Sequence, residues 1–189
     1  MKPPLPKVII VHGWASSPHR GWINWLADEL KNRGYEVVAP AMPKPRQPDM
    51  ADWLKAIQEA AAGSQSLIVV GHSMGTYALL EFIRILSATV KVKQAIFVAG
   101  FYVNETDTYW PGHFVTDKDF VQIRRRIKQS TVIYSNDDRV VVPNRSRELA
   151  KQLKAEMILE LNRRHFSNLK LKTLPIVLEV IEENSRQTS

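Results

Sequence analysis

Along this chain, short apolar runs alternate with longer stretches in which apolar residues recur every three or four positions. The first run, Lys7-Val8-Ile9-Ile10-Val11, is β-branched and closed by His12-Gly13, which predicts a strand buried on both faces. Trp22, Ile23, Leu26 and Leu30 follow at helical spacing, and Gly34 marks the end of that helix. A second strand is expected at Glu36-Val37-Val38-Ala39, stopped by a loop that holds Pro40, Pro43, Pro45 and Pro48. Asp49 can then cap a helix whose inner face carries Trp53, Leu54, Ile57 and Ala61.

Leu67-Ile68-Val69-Val70 predicts a third strand, running straight into Gly71. From Met74 to Ala88 the residues are apolar on nearly every side except at Glu81 and Arg84, the pattern of a helix deep in the fold. Further strands are expected at Ala95–Val98, Thr131–Tyr134 and Met157–Leu159. Helices are expected at Glu148–Leu153 and from Pro175 through Val177, Val180 and Ile181. Strand and helix taking turns in this way implies an α/β fold, a mostly parallel six-stranded sheet with helices on both faces. No repeat, low-complexity tract or linker interrupts it, so residues 1–189 read as one domain.

The alternation fails only over about residues 101–130, where no helix is clear until Asp119. Six aromatics (Phe101, Tyr102, Tyr109, Trp110, Phe114 and Phe120) fall in that aromatic-rich insertion. So many rings argue against disorder, and Tyr109, Trp110 and Phe114 are candidates to line a substrate pocket.

Composition narrows the function classes. The chain has no cysteine, which excludes disulfides and thiolate metal sites. The first apolar run is too short for a signal-peptide core or a membrane span, so a cytoplasmic protein with no membrane partner is expected. A net charge of +7 raises the question of nucleic acid. The basic residues, however, are dispersed in small clusters such as Arg124-Arg125-Arg126 and Arg163-Arg164, outside any nucleic-acid motif, and a solvated basic surface is the expectation.

Gly71-His72-Ser73-Met74-Gly75 fits the G-x-S-x-G pattern of a nucleophile elbow. A serine hydroxyl must project above the sheet from a tight strand-to-helix turn, and glycines two residues to either side let strand and helix close up without a Cβ clash. Here the motif follows an expected buried strand and opens the most apolar helix, which a chance match would not require. The Met74 backbone N–H would supply one oxyanion donor. Val11-His12-Gly13-Trp14, ending the first strand at the same sheet edge, would supply the second through the Trp14 N–H.

The triad order Ser, acid, His leaves few choices. Of the five histidines, His12, His19 and His72 precede or adjoin Ser73, and His113 lies in the aromatic insertion ahead of any strand-end acid. His165 remains as the base, with His12 and His72 expected as hydrogen-bonded neighbours. Ser135-Asn136-Asp137-Asp138 is the carboxylate cluster that follows a strand between Ser73 and His165. Asp138 is preferred as the acid that fixes the imidazole tautomer, with Asp137 the alternative, capping the turn or facing solvent.

Val-His-Gly, Gly-His-Ser-Met-Gly, Ser-Asn-Asp-Asp-Arg-Val-Val-Val-Pro and a late Arg-His-Phe together resemble the small serine hydrolase family of retinoblastoma-binding protein 9 and YdeN-type proteins. The resemblance implies a compact α/β-hydrolase fold lacking the first two strands of larger members, and carboxylesterase-like activity. It implies a triad on Ser73, Asp138 and His165, a small ester or amide as substrate and no cofactor or metal. The family carries glycine before the histidine where this chain has Arg164, so an ordinary φ and an added positive charge are expected there. An idle hydrolase-fold binding module is the alternative from another class.

Overall fold

The computed structural model describes residues 4–102, 117–168 and 170–186. Its strands are β1 (Lys7–Val11), β2 (Val37–Val38), β3 (Ser66–His72), β4 (Lys91–Val98), β5 (Ile127–Ser135) and β6 (Glu156–Glu160). Between and after them run α1 (Trp22–Asn32), α2 (Met50–Ala61), α3 (Met74–Ile85), α4 (Asp117–Arg126), α5 (Pro143–Leu153) and α6 (Pro175–Arg186). The strands form one sheet in the order β2-β1-β3-β4-β5-β6, and every neighbouring pair is parallel.

Successive strand residues serve opposite faces, which is why the runs are apolar throughout. Val8, Ile10, Ile68, Val70, Ile96 and Val98 pack with Trp22, Leu26 and Leu30 of α1 and Val177 and Ile181 of α6. Ile9, Val11, Leu67, Val69 and Phe97 face the other way, onto Trp53 and Ile57 of α2, Leu79 and Phe82 of α3, Ile123 of α4 and Leu149 of α5. Helix α3 is buried along its whole length from Met74 to Ile83, as its apolar sequence demands. Its Glu81 is buried against Arg84 at 2.7 Å.

Element boundaries differ from the sequence reading in a consistent way. β4 and β5 begin at Lys91 and Ile127, four residues before their apolar runs, because polar residues there still make ladder pairs such as Gln94 with Gln129. Hydropathy reports burial, and these strand ends are paired but partly exposed. Helix α3 stops at Ile85 rather than Ala88, where Leu86 turns extended. Asp49 caps α2 as expected, accepting from the Asp52 N–H at 3.1 Å. From the aromatic insertion Phe101 and Phe120 enter the core, and Tyr102 meets Phe120 edge-on at 5.0 Å. Tyr109, Trp110 and Phe114 lie outside the described residues.

Sheet order determines where a site can form. From β1 the chain moves outward to β2 and then returns to β3 on the other side of β1. The connections after β1 and β3 therefore lead to helices on opposite faces, α1 and α3. A crevice opens between them at the carboxyl ends of the strands.

Candidate active site

Ser73 stands in that crevice. It links β3 directly to α3 with φ 52° and ψ −119°, a conformation few side-chain-bearing residues adopt, and is only 7% exposed. The tight turn depends on its glycines. A Cβ on Gly71 would lie 2.8 Å from the Thr76 Cα. One on Gly75 would lie against the Val11 carbonyl oxygen and 2.8 Å from that of His12, so α3 packs backbone to backbone on the end of β1. Gly13 brings the β1 loop equally close: a Cβ there would be 3.1 Å from the Ser73 Cβ. Trp14 follows it, and Met74 opens α3. Among the described residues neither of these two amides is consumed by a turn or cap carbonyl.

The loops after β5 and β6 bring the remaining groups to Ser73. His165 Nε2 lies 2.9 Å from Ser73 Oγ, and His165 Nδ1 lies 2.8 Å from Asp138 Oδ2. Asp138 is 4% exposed, and its Oδ1 accepts from the N–H groups of Val140 (2.8 Å) and Val141 (3.0 Å). Those two bonds orient the carboxylate so that Oδ2 faces the imidazole. A carboxylate can only accept, so Nδ1 carries the proton and Nε2 is left to accept from the serine hydroxyl.

Asp137 closes the turn and also reaches beyond it. Its Oδ1 takes the Ser135 hydroxyl (2.7 Å) and reaches across to the Arg164 N–H (2.7 Å). The Ser135 hydroxyl bond, helped by the Arg164 amide, holds the Asp137 carboxyl below its ordinary range. Two parallel bonds accompany it, Asn162 N–H to Asn136 Oδ1 (2.8 Å) and Arg163 N–H to Ser135 Oγ (2.9 Å). The whole 135–137 turn thus grips the backbone that leads to His165.

That grip explains the outcome at Arg164. The expected ordinary φ is not found: Arg164 has φ 52°, flanked by Asn162 at 58° and Phe166 at 54°. The loop keeps the left-handed geometry that glycine would adopt freely, because the anchored amides dictate the backbone whatever the side chain. The arginine itself is exposed. Arg164→Gly is therefore expected to stabilise the fold by about 1 kcal/mol, raising Tm by roughly 2–4 °C in a thermal melt. An unchanged or lower Tm would mean that the loop relaxes around the arginine.

His12 and His72 are hydrogen-bonded neighbours of the site, as expected, and their partners define them. His12 Nε2 accepts from the Met42 N–H (3.2 Å), so its Nδ1–H donates to the Gly13 carbonyl (2.8 Å). Burial holds His12 below its ordinary pKa. His72 Nε2–H donates to the His165 carbonyl at 2.9 Å, and the two rings lie 5.1 Å apart. Trp22, legible in the sequence only as a core residue, packs edge-on against His72 and donates Nε1–H to the Phe166 carbonyl (3.1 Å). Two buried donors thus hold the backbone on either side of the His165–Phe166 bond. Their signal in the sequence was only their adjacency to the elbow and to the first helix.

Burial, with the adjacent His165 adding to it, pushes His72 down to about 3. An unfolded chain binds this proton at about 6.5, so the folded state is disfavoured as pH falls below that value toward 3. The contribution is fully present above 6.5. In denaturant titrations between pH 6.5 and 4, His72→Asn should show a stability slope shallower than wild type by up to about 1.4 kcal/mol per pH unit. Parallel slopes would show that His72 takes up a proton inside the fold.

In front of Ser73 opens a cavity of about 360 Å³ between the β1–α1 loop and the β6–α6 loop. Trp14, Trp22, Ile23, His72, His165, Phe166 and Leu171 contribute to its wall. The pocket residues expected from the sequence, Tyr109, Trp110 and Phe114, lie outside the described residues, and the described wall comes from the two loops that carry Trp14 and His165. Among the described residues no cluster of three or more His, Asp or Glu side chains could hold a metal ion, and no helix is long and apolar enough to cross a membrane.

Comparison with known proteins bears on the whole chain. YdeN of Bacillus subtilis (strain 168) is 30% identical over 182 residues, spanning 93% of this chain and 94% of YdeN. Serine hydrolase RBBP9 of Rattus norvegicus is 23% identical over 178 residues, spanning 92% and 94% respectively. The crystal structure of the ydeN gene product superposes with a TM-score of 0.86 at 28% identity, covering 96% of this chain and 100% of that one. Est1E from Butyrivibrio proteoclasticus shares the fold, with a TM-score of 0.68 at 16% identity over 98% of this chain and 89% of its own. The family pattern described as "Serine hydrolase" matches residues 8–181, and the chain belongs to the serine hydrolase family.

Proposed function

We propose that this hydrolase is a carboxylesterase-like enzyme that cleaves small acyl esters through a Ser73–His165–Asp138 triad. The observation that supports this reading best is the unbroken hydrogen-bonded chain from Ser73 Oγ through both imidazole nitrogens to Asp138. It is built on a buried, positive-φ serine at the N-terminus of α3.

In the forward step His165 Nε2 takes the Ser73 proton as Oγ attacks the ester carbonyl carbon. The Met74 and Trp14 N–H groups would hold the oxyanion, and the positive end of α3 adds to their field. The imidazolium is stabilised by Asp138 and returns its proton to the leaving alkoxide as the C–O bond breaks. Water then enters, gives a proton to Nε2 and attacks the acyl carbon, releasing the acid and restoring Ser73.

Fluorophosphonate labelling tests the assignment together with hydrolysis of 4-nitrophenyl esters of graded acyl length. Wild type should be labelled at Ser73 and turn over, while Ser73→Ala should do neither. Absence of labelling and turnover in folded wild type would overturn the proposal and favour a binding module.

A further inference from the structure

Among the described residues no aspartate or glutamate lines the cavity in front of Ser73, yet Arg20 does. Of the described residues in that wall, Arg20 is the one permanently charged side chain. Its guanidinium donates to the Ala15 carbonyl at a long 3.3 Å and forms no ion pair among the described residues. Three other arginines are ion-paired, Arg33 with Glu29 and Glu182, Arg84 with Glu81 and Arg163 with Glu160, whereas Arg20 keeps its charge unmatched at the cavity wall. The loop carrying Arg20 is held in place. Ala15 has φ 50° and its N–H donates to the Pro45 carbonyl at 2.8 Å, while the Trp14 indole donates to the Arg46 carbonyl at 3.1 Å. Trp22, Ile23, Phe166 and Leu171 give the same cavity an apolar share of its wall.

We infer that the site selects monoanionic esters of short dicarboxylic acids, with Arg20 pairing with the free carboxylate. This inference rests on the ester-hydrolase reading above and names its substrate class. The apolar wall suits a short methylene chain, and a guanidinium presents a planar fork that matches a carboxylate. A guanidinium in the wall disfavours a cationic acyl chain and attracts an anionic one. Arg20 is exposed, so the pairing is screened by salt and its effect is moderate.

The test compares kcat/KM for the 4-nitrophenyl monoesters of glutaric and adipic acid with their neutral methyl-ester counterparts, after subtraction of spontaneous hydrolysis. In wild type the anionic-to-neutral ratio should exceed one at low salt and fall as salt rises. Arg20→Gln should lower that ratio about 2- to 5-fold, mainly through KM, and Arg20→Glu should bring it below one. Wild-type turnover of both ester types with a ratio that neither salt nor Arg20→Gln moves overturns the carboxylate pocket and leaves the Ser73 reading standing. Turnover of neither ester, with Ser73 unlabelled, overturns both.

Discussion

Asp138→Asn is expected to lower kcat on the order of 10⁴-fold, with little change in KM or in the fold. The reason is geometric. Oδ1 of Asp138 already accepts two backbone N–H groups, from Val140 and Val141. An asparagine must keep its single oxygen there, which turns its NH₂ toward His165 Nδ1. Nδ1 then has to accept, the proton moves to Nε2, and Nε2 can no longer take the Ser73 proton. Asp137→Asn keeps an acceptor oxygen for Ser135 and Arg164, so its loss should be far smaller. Steady-state kinetics on the two variants decide the matter. Equal losses, or the larger loss at Asp137, would reverse the assignment of the two carboxylates.

Among the described glycines, Gly75 should tolerate an added methyl least. The added carbon would meet the Val11 and His12 carbonyl oxygens, both backbone atoms at the end of a fully buried strand. Neither α3 nor β1 can yield without separating the two core elements that flank Ser73. Overpacking of this kind costs about 1–3 kcal/mol and more where backbone must move. A loss of several degrees in Tm and of Ser73 labelling is expected together. Gly63→Ala offers the control, since no atom lies near its Cβ and only its φ of 78° is strained. A Gly75→Ala protein as stable and as reactive as wild type would show that the elbow tolerates a wider turn.

Much of the architecture was legible because it follows from local chemistry. β-Branched runs at Val8–Val11 and Leu67–Val70 suit strands buried on both faces, and both faces are buried. Gly71 and Gly75 announced a close strand–helix contact that the steric distances bear out. The relatives named above confirm the family that the same motifs resembled. Less legible were strand ends such as Lys91 and Ile127, where ladder pairing continues past the apolar run.

By itself, then, the sequence determined the alternation of strand and helix, the elbow and the order of the three candidate groups. These depend on side-chain pattern and on which backbone angles each residue tolerates. Only the tertiary structure decided how those groups are held. His72 and Trp22 lie 93 and 144 residues from the carbonyls they bind, and Asp137 lies 27 from the Arg164 amide. Such bonds join chain segments that only the sheet order brings to one edge, so no local pattern could report them. The left-handed turn at Arg164 shows the consequence. A residue that prefers φ < 0 adopts φ 52° there because three anchored amides outweigh its own preference.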